Sequence, residues 1–507
     1  MLNDVNFNLG QGGLGRPLPG SDFISTMLFY TGTLPSGFSS TDRIKKIFSV
    51  EDAESLGILD TYADETKATA KYTVTNVGAD GDTLELVIVE PSSNISLGVF
   101  LKTAAYTTVT LFADALVLFI NANTLTHGYT AANTAGAVTI TARPGLGLFL
   151  NSGTPVVATI VGTIAGTIVQ FGASPMIAGV ASLQAPWHYH ISEFFRIQPK
   201  GVLYVGMYAV PSTYDFTDLT TIQNFANGEI RQAFVYADGT TYTSGKVQAA
   251  QAVCTSLFVA HKPLSSVLIA FDYASATLST LANLSTLNSK NITLVIGQDG
   301  DNLGYALFKA CGKSITNGGA VLGCEALAAV NEDIAWISKF NISNGTENNV
   351  PAFANGILFS ACSTSLLTTL NSYRYVFSIK KVGYEGTFLN DSHDCIIQTS
   401  DYAYIENNRT IDKAIRLLYT NYLPDLNAPL TVNTDGTLKD TSVAYFQMSG
   451  NAALDQMVRD GELSAKSVTV NPVQNVLTSS QLVITVTLVP VGVARNIVIN
   501  IGYSLSI

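Results

Sequence analysis

The stretch QLVITVTLVPVGVARNIVINIGYSLSI, residues 481–507, constrains the fold more than any other. Ile484, Val486 and Leu488 alternate with Thr485 and Thr487, and Ile497, Ile499, Ile501, Tyr503 and Leu505 alternate with small or polar residues. A period of two specifies strands with one packed face and a well-defined register. The expectation is a terminal strand pair around a short turn, with an uncovered edge. Such an edge invites another chain to add a strand. At the other end, DVNFNL carries Val5, Phe7 and Leu9 in the same alternation and is followed by GQGGLGRPLPG, which has no periodicity. Residues 1–22 therefore read as an extended arm that orders against a partner.

Composition supports a chain made for contact with other proteins. It has 507 residues, enough for several cores. Charged residues are only 13%, against about 25% in an average soluble protein. The net charge of -11, without a basic block, argues against nucleic-acid binding. Cys254, Cys311, Cys324, Cys362 and Cys395 are odd in number and widely spaced, which suggests reduced thiols in a cytosol. The N-terminus has no basic segment leading into an apolar core, so no secretion signal is read. Between Arg143 and Glu193 the only acidic or basic residues are His188 and His190. The run TPVVATIVGTIAGTIVQFG within it is rich in Val, Ile and Thr, and about 16 residues long, short of the roughly 20 that span a membrane. It reads as a buried strand pair.

Along the chain, FISTMLFYT is a first buried strand and SVEDAESLGI a short helix capped by Ser49. KYTVTNVGADGDTLELVIVEP reads as a hairpin turning at Asp80-Gly81-Asp82, and TLFADALVLFINANT as a helix. From about 190, strands and helices alternate as in an α/β domain. In TSDYAYIENNRTIDKAIRLLYTNYLPDL, Ile411, Ala414, Ile415, Leu418, Tyr419 and Tyr422 make one apolar helix face, ended by Pro424. Arg409, Lys413 and Arg416 then form a basic stripe on the outer face.

No group of residues converges on catalysis. Gly312-Lys313-Ser314 ends like a phosphate loop, but the first glycine of that motif is replaced by Leu307. His188 and His190 in PWHYHIS would share a strand face, with no third ligand nearby. Gln298-Asp299-Gly300-Asp301-Asn302 lacks the closing Glu of a calcium loop. No catalytic residue, metal ligand or cofactor is expected, and the chain reads as an assembly subunit rather than an enzyme.

The sequence also resembles the contractile tail sheath proteins of bacteriophages and related injection machines. The resemblance rests on KNITLVIGQDG, GAVLGCEALAAVNEDIAWISKFNI, SDYAYIENNRTIDKAIRLLYTNYLPDLNAPL, the closing strand pair, and FFRIQPKGVLYVG. TVTNVGADGDTLELVI, HGYTA and VTITARPGLG mark an insertion module. The resemblance implies an α+β multidomain fold. It comprises an arm (1–22), a mixed α/β sheath core (23–69 plus 380–480), an inserted β-rich domain (70–186), an α/β domain (187–379) and a terminal strand pair or arm (481–507). It implies stacked hexameric rings of this chain around an inner tube, bounded by baseplate and tail terminator proteins. The location implied is a virion tail assembled in the bacterial cytoplasm, without nucleic-acid binding or membrane insertion. The sheath of a non-phage contractile injection system is an alternative; a β-rich surface adhesin or carbohydrate-binding protein is one of another class. By carry-over, Val5, Phe7, Leu9, Ile484, Val486, Leu488, Ile497, Ile499 and Ile501 exchange strands between subunits, and Arg409, Lys413 and Arg416 face an acidic inner tube.

Overall fold

The computed structural model describes residues 22–91, 93–237, 239–343 and 345–503. Its centre is a six-stranded sheet in the order Ile292–Leu294, Ser266–Ala270, Gln232–Tyr236, Ile24–Tyr30, Val202–Tyr208, Ile44–Ile47. Neighbours are parallel except at the last pair. The strand Ile24–Tyr30 is buried at every residue. Leu28 and Tyr30 enter one core, and Met27 and Phe29 the opposite one. A strand buried on both faces needs a helical layer on each side. The helices Asp218–Phe225 and Ser244–Val259 contribute Ile222 and Val247 to the first core. The helices Gln184–Ile197 and Gly318–Leu327 contribute Trp187, Phe194, Val321 and Leu322 to the second. Each large apolar side chain removed from water contributes about 1.5–3 kcal/mol.

The segment from 23 takes its sheet partners from the α/β layer and shares a core with part of 380–480, since Leu389 and Ile405 pack in the cluster of Met27 and Phe29. Its first strand lies between strands 202–208 and 232–236 and completes the α/β layer. A strand with no polar face can be completed only by neighbours on both edges, and those come from far along the sequence.

Residues 69–169 build a separate antiparallel unit around Tyr72, Leu86, Phe100, Phe112, Ile120 and Ile140. It has one four-stranded sheet, one three-stranded sheet and the helix Val109–Ala122. The hairpin expected at Asp80-Gly81-Asp82 does not form, because Thr69–Asn76 and Thr83–Val89 lie in different sheets. The Asp82 carboxylate instead accepts from the Thr163 amide at 2.7 Å and the Thr163 hydroxyl at 3.0 Å. That contact sits where the chain crosses between sheets. The uncharged run divides there into Val156–Val161 and Ala165–Val169, each an edge strand of a different sheet. They do not pair with each other, and Val157 and Val161 are exposed rather than buried. Among the described residues no helix is long and apolar enough to cross a membrane.

PWHYHIS is helical rather than extended, so its two histidines point to different sides. His188 Nε2 lies 3.0 Å from Glu54 Oε1. His190 is enclosed by the rings of Tyr189, Phe234 and Tyr236, and burial pushes it down to about 3. This helix touches Gly318–Leu327 so closely that a Cβ at Gly319 would stand 2.2 Å from the His190 carbonyl oxygen. Gly319→Ala is expected to destabilise the fold by about 1–3 kcal/mol, read as a lower urea midpoint. Gly492→Ala, with nothing within 4 Å of its added Cβ, is the matched control and should leave the midpoint unchanged.

Candidate assembly interface at the two chain ends

The helix Ile405–Tyr422 holds the roots of both chain ends. Its burial follows the expected pattern in part. Ala414 is buried, with Leu418 packed in the same core, and Tyr422 packs beside Phe446. Ile411 and Ile415 are only half-buried and Tyr419 is exposed, while Glu406, Asn408, Arg409, Thr410 and Asp412 are buried. Buried polar groups need hydrogen-bond partners, and several of these side chains find them on the body. Asn408 Nδ2 donates to the Lys290 carbonyl at 2.6 Å and to Asp394 Oδ2 at 2.9 Å. Thr410 Oγ1 donates to the Val330 carbonyl at 3.2 Å. The helix is held to the body by polar contacts on one side as well as by the apolar seam on the other.

Arg409, Lys413 and Arg416 do not form an outward basic stripe. Arg409 is 2% exposed and donates to the carbonyls of Ala328 at 3.1 Å and Ala329 at 3.3 Å. Arg416 Nη2 meets Asp22 Oδ1 at 2.5 Å, and Lys413 Nζ meets Asp22 Oδ2 at 3.0 Å and Glu462 Oε1 at 2.5 Å. Asp22 is the first described residue, so this triad clamps the root of the N-terminal segment. Burial alone would raise the Asp22 carboxyl, but Arg416 and Lys413 hold it below its ordinary 3.8. These cations are therefore not displayed as a free basic face: each already neutralises an acid or caps carbonyls within its own chain. Val5, Phe7 and Leu9 lie outside the described residues.

The C-terminal end is clamped with opposite polarity. The strand Ile484–Pro490 pairs antiparallel with Leu463–Val470, not with residues 495–505 as expected. The Ser- and Lys-containing sequence LSAKSVTV concealed that partner. Ile484, Val486 and Leu488 therefore pack within their own chain, beside Ala414, Leu454 and Val468. The sheet has two strands only, so each presents an outer edge. Beyond Pro490 the chain leaves the sheet and is caught at Arg495. Arg495 Nε donates to Asp391 Oδ1 at 2.9 Å, and Nη2 reaches Asp333 Oδ2 at 3.2 Å, Ser392 Oγ at 3.2 Å and the Glu406 carboxylate. Its guanidinium lies 3.5 Å from the centre of the Tyr404 ring. Past this point Ile497, Val498, Ile499, Ile501 and Tyr503 are between 74% and 108% exposed.

The structure thus separates the C-terminal strand-exchange candidates. Ile484, Val486 and Leu488 are engaged by their own chain, while Ile497, Ile499 and Ile501 are uncovered. The socket residues Asp333, Asp391 and Glu406 escaped sequence reasoning. One signal was available: Arg495 is the sole charged residue between 481 and 507.

Residues 2–393 match the family described as DUF2586, N-terminal domain, and residues 401–507 match DUF2586, C-terminal domain. The chain belongs to the DUF2586 family. Its two parts meet at the clamps: Asp22, Asp333 and Asp391 come from the N-terminal domain of this DUF2586 protein, and Glu406, Arg416 and Arg495 from the C-terminal one. A comparison with curated protein sequences finds no match. Among solved structures, the chain is similar to the contracted helical sheath of the anti-feeding prophage. Identity is 13% and the TM-score 0.45, over 65% of this chain and 85% of that one. It is also similar to the contracted sheath complex of the extracellular contractile injection system PVC, with 10% identity and TM-score 0.42, over 63% and 81%. A third likeness is to the sheath tail protein of Desulfitobacterium hafniense, with 11% identity and TM-score 0.36, over 96% and 100%. Among the described residues no group of three His, Cys, Asp or Glu side chains is placed to hold a metal ion.

Two expectations follow for the clamped helix. Arg409→Ala leaves the carbonyls of Ala328 and Ala329 without their buried donor and should cost about 1–3 kcal/mol of stability in denaturant. The buried acids also set a pH dependence. Burial pushes Glu325 from 4.5 up to about 7, and burial followed by Glu406 and Asp391 pushes Asp333 from 3.8 up to about 7. The folded chain therefore binds these protons when the unfolded chain does not, so stability rises as pH falls through 7. His190 and His393, both pushed from 6.5 down to about 3 chiefly by burial, act oppositely once the unfolded chain protonates below 6.5. Glu347 and Asp299, raised to about 7 and about 6 chiefly by burial, extend the climb, so thermal melts of the dilute subunit should show stability rising from pH 8 to about 5, less steeply once the histidines oppose it below 6.5. Glu325→Gln should flatten the climb.

Proposed function

We propose that this chain is a structural subunit of a contractile tail sheath. It polymerises as stacked rings around an inner tube and contracts to drive that tube through a bacterial envelope. The observation that carries the reading is the uncovered apolar arm beyond Arg495. It alternates like a strand, yet Ile497, Ile499, Ile501 and Tyr503 bury nothing on their own chain. The strand pair Leu463–Val470 and Ile484–Pro490 offers outer edges of the kind such an arm can join. Sister copies supply both halves of that contact. The resemblance of the segments around KNITLVIGQDG and NNRTIDKAIR to sheath proteins points the same way. The inner tube, baseplate and terminator are the other partners in this reading, and the assembled particle is a phage tail or an injection system. Capsid and terminase genes beside its own would assign it to a phage. The body consists of the central α/β layer, the antiparallel unit of 69–169 and the C-terminal helices with their strand pair. The work of contraction comes from the assembly itself rather than from a bound nucleotide.

Electron microscopy of the purified full chain should show hollow tubes. Removal of residues 496–507 should leave a folded subunit, with an unchanged melting profile, that sediments as a monomer. Long tubes from the truncated chain, or a full chain that stays monomeric at high concentration, would overturn the proposal.

A further inference from the structure

The socket that receives Arg495 is built before Arg495 arrives. Asp333 Oδ1 accepts from the Ala335 amide at 2.8 Å, Asp391 Oδ1 from the Ser392 amide at 2.8 Å, and Glu406 Oε2 from the Ser392 hydroxyl at 2.6 Å. Tyr404 floors it, at the N-cap of the helix Ile405–Tyr422. Only the guanidinium comes from elsewhere, on a tether. Residues 491–494 make no hydrogen bond to the body among the described residues, and the bond from the Arg495 amide to the Val493 carbonyl, 3.1 Å, is local. Among the described residues, the polar contacts of the tether with the body all come from one side chain.

An empty socket is a costly state. Three carboxylates, all of them largely buried, would face one another without a cation, which is strongly unfavourable. The socket therefore favours a guanidinium, but nothing in it distinguishes its own arm from that of a sister copy. Exchange of an identical element conserves the contact and is a low-cost route to association. The remainder of the arm tips the balance. On its own body, Ile497, Ile499, Ile501 and Tyr503 gain nothing; against a neighbour they can be covered. In dilute solution the tethered arm has the higher effective concentration, and packing of copies reverses that advantage.

The geometry points to an exchangeable clasp: the Asp333–Asp391–Glu406 socket is closed by its own Arg495 in the free subunit and takes Arg495 of a second copy in the assembly. This inference rests on the sheath reading and adds to it the contact that changes owner.

Cross-linking tests it without touching the clasp. Cysteines replace Ala335, whose amide bonds Asp333, and Asn496, next to Arg495, in the full chain with Cys311 and Cys362 changed to Ser. A short bis-maleimide is applied to the dilute subunit and to assembled tubes, and products are separated under denaturing conditions. The expected result is a cross-link within single chains before assembly and a ladder of linked chains after it. Tubes in which every cross-link stays within one chain would overturn the exchange and leave the sheath reading standing. A chain that forms no tubes would overturn both. Arg495→Glu supplies a second readout. The arm should become cleavable by protease in the free subunit, and tube formation should be lost in a subunit that still folds but melts at a lower temperature. Normal tubes from Arg495→Glu would overturn the clasp.

Discussion

Taking a charged side chain out of water costs several kcal/mol unless a partner is waiting. The helix Ile405–Tyr422 buries a row of them, and the rest of the molecule is arranged to meet that demand. Arg409 uses the carbonyls of Ala328 and Ala329. Arg416 and Lys413 use Asp22, and Glu406 uses Ser392 and Arg495. Each partner comes from a different part of the chain. The helix can be buried only when the loop after Gly318–Leu327, the root of the first strand and the C-terminal tether are all in place. A greasy helix face would tolerate small shifts and repacking. Paired charges do not, and they fix where both chain ends leave the body.

That mixture of polar and apolar packing also explains what the sequence could and could not reveal. The strand FISTMLFY, the capped helix after Ser49 and the alternation of strands and helices from 190 were legible because local pattern and burial agree there. The helix at 405–422 was legible as a helix, but its apolar stripe was taken for the whole inner face. Periodicity reports which residues share a face, not which face a partner covers. Asp22 lies far from Arg416 in sequence, and no local rule joins them. The same limit hid the pairing of Ile484–Pro490 with Leu463–Val470. It also hid the placement of Ile24–Tyr30 between Val202–Tyr208 and Gln232–Tyr236. The histidines of PWHYHIS failed differently. A short aromatic run does not separate strand from helix, and here the helix is selected by packing against Gly319 and Gly323, where its atoms leave no room for a Cβ.

A rigid body with an uncovered C-terminal arm suits the proposed role of a subunit that binds copies of itself without losing its own fold. Cooperative packing holds the six-stranded sheet, whose central strand has no exposed residue. The arm beyond Arg495 contributes almost nothing to that packing, so it can move at small cost to the body. Regions that change partners are drawn from the least stable parts of a structure. Here the division falls at one residue, because Arg495 is the last side chain in the described arm with partners on the body.

The opposite signs of the two clamps carry a further consequence. An acid roots the N-terminal segment among cations, and a cation roots the C-terminal arm among acids. Both sites share one helix, Glu406 standing one turn from Arg409 and about three turns from Arg416. Were the signs alike, each end could settle in the other's site, and copies could join in more than one register. With the signs opposed, Arg495 is repelled by the Arg409, Lys413 and Arg416 group and Asp22 by the Asp333, Asp391 and Glu406 group. Specificity built from such repulsion is what identical subunits require when they meet at high concentration. Under the proposed sheath reading, registry then follows from charge on a single helix, and the apolar arm need supply only the affinity.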